Sequence, residues 1–142
     1  MNNNIFVIHG HDSVALLEIK EFLRKLGLNP IVLQDLPNRN MTVIEKFEKY
    51  ASSCVFAIAI LTPDDMQAEK LDSANKYRAR QNVILEAGWF MGKLGRQRVM
   101  LLHKGDVEFP SDIFGVLYLS FDKTIMDASE KLRDELVAQG LI

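Results

Sequence analysis

With a single cysteine (Cys54), a single tryptophan and four prolines in 142 residues, the chain falls outside several classes of protein at once. One cysteine closes no internal disulfide, so a stapled secreted scaffold is excluded and a reducing compartment fits best. Cys54 opens the most apolar run of the chain, where a small buried hydrophobe is expected rather than a reactive thiol. That run, Cys54 to Leu61, is far too short to cross a bilayer. Neither sign of charge dominates, with 17 Lys and Arg against 19 Asp and Glu, a net charge of −2 and a pI of about 5.9. No basic stripe exists to track a phosphate backbone, so nucleic acid is not an expected partner. The opening Met1-Asn2-Asn3-Asn4 lacks a basic segment leading into an apolar one. No signal peptide is therefore expected, and the chain is placed in the cytoplasm, off the membrane.

What is present suits one globular domain over residues 1–142. Hydrophobic residues make up 48% and charged residues 25%, enough to bury a core without staples. Ile5 to Ile8 reads as a buried strand that stops at the loop His9-Gly10-His11-Asp12. Leu16, Ile19, Phe22, Leu23 and Leu26 then share one helical face, and Gly27 with Asn29-Pro30 ends that helix. Ile31 to Leu33 reads as a second strand, and the polar segment Gln34 to Met41, with Pro37, as a loop. Thr42-Val43-Ile44-Glu45 matches a capping box and opens a helix with Ile44, Phe47 and Ala51 expected inward. Val55 to Leu61 is the expected central strand, followed by a polar loop to about Gln81. A helix is expected over Asn82 to Lys93, strands at Val99 to Leu102 and Val116 to Leu119 around a loop with Pro110, and a closing helix marked by Ile125, Ala128, Leu132 and Leu136.

Strands alternating with helices imply an α/β fold: a five-stranded parallel sheet, order 2-1-3-4-5, with helices on both faces. Such sheets bind ligands beyond the carboxyl ends of their strands, near the point where strand order reverses. Three loops qualify: His9 to Asp12, Gln34 to Met41, and Thr62 onward.

Glu86 stands out, a carboxylate among Val83, Ile84, Leu85, Ala87, Trp89 and Phe90. Such a residue has either a partner or a job. The partner would be Arg80 or an arginine of the turn Gly95-Arg96-Gln97-Arg98. Arg78, Asn82 and Glu86 share one side if the helix starts early enough, although Asn82 can equally cap it. Gly88 and Gly92 are expected to pack the helix closely on the sheet and Gly95 to end it; their spacing is not the dinucleotide fingerprint. In His9-Gly10-His11-Asp12 a metal reading lacks a second ligand cluster, while Asp12 or Ser13 serves as a helix cap. The glycine and the helix N-terminus would also suit a phosphate. Asp64 and Asp65, with Asp12 and Asp35, invite comparison with a phosphate-receiver domain, but the first strand ends in histidines and Lys123 lies well past the fifth strand.

Ile5 to Asp12, the long segment Arg78 to Arg96, and Pro110 to Val116 together resemble TIR-like nucleotide-binding domains of bacterial defence systems, the TIR-STING and Pycsar-type family. The likeness spans residues 5 to 122, with Arg78 to Gly88 its most specific part. It implies a flavodoxin-like TIR fold and NAD+ glycohydrolysis, with Glu86 as the catalytic residue and NAD+ as substrate rather than cofactor. Breaking the nicotinamide–ribose bond passes through an oxocarbenium-like state, which one carboxylate beside the ribose can stabilise. His9, Gly10, His11, Asp12, Asp35, Thr62 and Asn82 are the expected substrate contacts, and Trp89 can stack on a ring or pack in the core. The resemblance further implies self-assembly with other TIR domains through the Gln34–Met41 loop, and a cyclic-nucleotide-sensing domain or partner outside this chain. The competing reading is a non-catalytic TIR module that binds nucleotide or only assembles.

Overall fold

The computed structural model describes residues 1–63, 65–66, 77–78, 80–105, 107–108, 110, 112 and 118–142, with the backbone alone at 65–66 and 77–78. In chain order the elements begin β1 (Asn4–Ile8), α1 (Ser13–Lys25), β2 (Asn29–Ile31), α2 (Val43–Ala51), β3 (Phe56–Leu61) and β4 (Asp65–Met66). They continue β5 (Tyr77–Arg78), α3 (Gln81–Leu94), β6 (Val99–Lys104), β7 (Val107–Glu108), β8 (Tyr118–Phe121) and α4 (Ser129–Ala138). Five strands form one parallel sheet in the order β2-β1-β3-β6-β8, with Phe6 opposite Ala57, Ile58 opposite Met100 and Leu102 opposite Leu119. Counted along the chain these five run 2-1-3-4-5, as the alternation of elements implied. Among the described residues no helix is long and apolar enough to cross a membrane.

Side chains alternate across the strands, so one sheet carries two cores. Ile5, Val7, Phe56, Ile58, Ile60, Met100 and Leu102 pack against Leu16, Ile19 and Leu23 of α1 and Leu132 and Leu136 of α4. Phe6, Ile8, Ala57, Ala59 and Leu101 face Phe47 of α2 and Val83, Ala87 and Phe90 of α3. The small Ala57 and Ala59 leave room for aromatic rings there. Phe6 lies 5.4 Å from Phe47 and 5.0 Å from Phe90, and Trp89 lies 5.1 Å from Phe47. Cys54 is buried beside this cluster, and burial pushes its thiol up to about 11.

Local chemistry sets the element ends. Asp12 caps α1 by accepting from the Ala15 amide at 3.0 Å, and Gly27, at φ +78°, turns the chain out of it. Thr42 and Glu45 form the expected capping box of α2. Gly95 ends α3 at φ +86°.

Several expectations are corrected. β2 runs over Asn29–Ile31 rather than 31–33, because the Asn29 amide donates to Asn3 and its side chain to Asn4. Pro30 is tolerated there because β2 is an edge strand. The last strand, expected over 116–119, is described over Tyr118–Phe121 and so continues past Leu119, while 116 and 117 lie outside the described residues. The segment after Thr62 is not all loop: β4, β5 and β7 form a small second sheet. Arg78 lies in β5, so α3 does not reach back to it, and Arg80 rather than Asn82 occupies the cap. Ile44, expected inward, points outward at 49% exposure, and Leu85 beside Glu86 is exposed as well, at 63%. Gly88 and Gly92 are exposed, and a β-carbon on either would meet nothing within 4 Å among the described residues, which show no close packing there. The loop motif at 110–116 and the acidic residue Asp64 lie largely or wholly outside the described residues.

Candidate functional site

Glu86 sits in the second turn of α3, beside Val83, Ala87 and Phe90 that anchor this helix on the sheet. It borders a cavity of about 230 Å³ at the carboxyl end of β1. Phe6, Leu33 and Val43 bring apolar side chains to its wall, and His9, Gln34, Asn38, Lys46 and Glu86 supply the polar groups. The sheet order reverses between β1 and β3, so the cavity lies where parallel sheets hold ligands.

Burial pushes the Glu86 carboxyl from the ordinary 4.5 up to about 7, and the Arg80 guanidinium opposes this without cancelling it. Among the described residues no hydrogen bond or ion pair holds the carboxyl, so the salt bridge to Arg80 considered from sequence is a field rather than a contact. A partly ionised carboxyl without a partner, in a cleft, is free to meet a ligand.

Lys46 was not singled out from the sequence. The capping box fixes the first turn of α2, with the Lys46 amide bonded to the Thr42 carbonyl at 2.9 Å, and this turns the Lys46 side chain inward. Only 7% of Lys46 is exposed, and its ammonium donates to Asn38 Oδ1 at 2.8 Å. Its one visible signal is its place between the capping box and the inward-facing Phe47.

Of the residues proposed as substrate contacts, His9 lines the cavity with Glu86. Gly10 follows directly, and its carbonyl accepts from His9 Nδ1 at 2.9 Å in the tautomer protonated there. His11 is exposed at the loop tip. Asp12, besides capping α1, pairs with Lys104 at 3.4 Å. Asp35 pairs with Lys20 at 2.6 Å on the surface, Thr62 is buried just past β3, and Asn82 is exposed in the first turn of α3. Trp89 packs on Phe47 and on Phe90, 5.0 Å away.

A wider depression of about 660 Å³ is bordered by His103, Gly105, Ser120, Asp122, Lys123 and Asp127. Its carboxylate Asp127 accepts from the amides of Asp122, Lys123 and Thr124 at 3.3, 3.0 and 3.3 Å, which lowers its pKa. That side chain is committed to ending a loop, so the smaller cavity is the better candidate.

Residues 4–123 match the TIR domain of CAP12/Pycsar effector proteins. The chain belongs to this family. The matched span carries the whole TIR-domain cavity, from His9 through Lys46 to Glu86. Among curated relatives, the uncharacterized protein YuaY of Escherichia coli K12 is 45% identical over 87% of this chain and 41% of its own length. Protein tirC of Dictyostelium discoideum is 33% identical over 90% of the chain and 69% of its own length. The Pycsar effector protein PaPycTIR of Pseudomonas aeruginosa is 41% identical over 57% of the chain and 26% of its own length. The chain thus spans less than half of two of these three relatives.

Proposed function

We propose that this TIR domain hydrolyses NAD+ at the nicotinamide–ribose bond as a defence effector. The observation that carries the reading is Glu86: a carboxyl held near 7, unpaired among the described residues, on the wall of the cleft at the strand carboxyl ends. A cationic nicotinamide ribose entering beside it favours the ionised form. The bond from the ribose anomeric carbon to the ring nitrogen then breaks, and nicotinamide departs with the electron pair as a neutral base. The carboxylate stabilises the oxocarbenium-like ribose, water adds to the anomeric carbon, and its proton passes to solvent. Nicotinamide and ADP-ribose result.

Because the cavity is smaller than the roughly 300–1,000 Å³ of most small-molecule sites, we further propose that assembly with other copies through the Gln34–Met41 loop brings the site to activity. A cyclic-nucleotide-sensing domain or partner outside this chain would promote that assembly. The test is chromatography of nicotinamide after incubating NAD+ with the chain over a range of concentrations. A rate rising faster than linearly supports the reading. No release from concentrated protein would leave the chain as a binding or assembly module.

A further inference from the structure

The geometry points to Lys46 as an anion anchor that holds a phosphoryl group carried on a ribose, within the cavity it shares with Glu86. This rests on the reading of the cleft as an NAD+ site and adds which part of the substrate is gripped and by what. The Lys46 ammonium is a buried charge with three donors, of which one is taken by the neutral Asn38 side chain. Among the described residues no carboxylate pairs with it, Glu86 included. A buried cation without an anion is costly, so an outside anion would supply the missing charge.

The surroundings define that anion. Gln34 and Asn38 border the same cavity and bring side-chain amide donors, which suits an anion with several oxygens. Glu86 in the same cavity repels a small free anion, and favours one tethered to a neutral or cationic sugar. The volume of about 230 Å³ takes part of a dinucleotide and not the whole. A ribose 5-phosphate meets each condition, with its phosphate at Lys46 and its anomeric carbon toward Glu86.

Calorimetric titration of the whole chain tests this with two probe pairs: ribose 5-phosphate against ribose, and nicotinamide mononucleotide against nicotinamide riboside. In the native chain the phosphate should tighten binding at least tenfold in each pair. In Lys46→Met that ratio should fall to near one, and Lys46→Arg should restore part of it. The melting temperature of Lys46→Met should not fall, because the change removes an unpaired buried charge; Lys46→Gln serves if the methionine variant does not fold. Equal binding with and without phosphate in the native chain, or a phosphate preference surviving in Lys46→Met, overturns the inference. Nicotinamide release separates it from the parent reading. Lys46-dependent binding of ribose 5-phosphate without NAD+ cleavage keeps this inference and removes the parent reading. Cleavage with unchanged kcat/KM in Lys46→Met does the reverse.

Discussion

The Lys46 ammonium donates to the Asn38 side-chain oxygen at 2.8 Å, and this one bond joins the turn at Arg39 and Asn40 to the first turn of α2. Both turn residues adopt left-handed backbone, at φ 49° and 58°, and the Met41 amide closes onto the Asn38 carbonyl at 2.9 Å. One end of the cleft is therefore built from contacts local in sequence. Glu86 reaches it from a helix much later in the chain, set in place by the packing of Phe6, Phe47 and Phe90.

Glu86→Gln keeps the shape of the side chain and removes its charge. Turnover should fall by on the order of a hundredfold or more, the scale seen when one transition-state-stabilising group is lost. In the native chain kcat/KM should drop as pH falls below about 7, because the ionised carboxyl is the working form. Native turnover by the glutamine variant would refute the assignment.

The same carboxyl makes stability depend on pH. Its folded pKa, about 7, lies above the ordinary 4.5, so the folded state binds the proton more tightly. Its contribution is complete below pH 4.5 and is lost as pH rises through 7. Native chain and Glu86→Gln should therefore melt together near pH 4.5, and the variant should melt higher at pH 8. The gap should be on the order of 1–2 kcal/mol, reduced because the group is partly exposed. Thermal melting at both pH values checks it, and a variant that melts lower at pH 8 would point to a structural ion pair instead.

Thr42→Ala removes the hydroxyl that accepts from the Glu45 amide at 3.2 Å. Denaturant unfolding should show a loss of about 1 kcal/mol. Since the same turn directs Lys46 inward, phosphate affinity should weaken as well. A loss of stability with unchanged affinity would mean that Lys46 is held by Asn38 alone.

Gly88→Ala should stabilise the chain by about 0.5–1 kcal/mol, because the added methyl meets nothing among the described residues and glycine is a poor helix residue. Chemical denaturation checks it. A loss would place an unseen neighbour against that face.

The sheet order, the four α-helices among the described residues and the α2 capping box were legible in the sequence, since each depends on patterns spanning a turn or a strand. The small sheet was not, because β4, β5 and β7 have two residues each and show no periodicity. Glu86 was visible as a charge among apolar neighbours. Lys46 was not, because a lysine beside Glu45 and Glu48 reads as part of a solvated face. Ile44 was expected inward with Phe47 and Ala51, whereas α2 buries Lys46 with those two and turns Ile44 outward. Gly88 and Gly92 suggested close packing by spacing alone, which says nothing about what lies opposite them.

The buried Cys54 thiol, raised to about 11, carries almost no thiolate at neutral pH. The native chain should thus be nearly silent to maleimide dyes, with no cysteine needing removal first. A cysteine introduced at the exposed Leu85 would carry the only label. Energy transfer between differently labelled copies would then report any meeting of two domains as the protein concentration is raised, on a protein that is otherwise untouched.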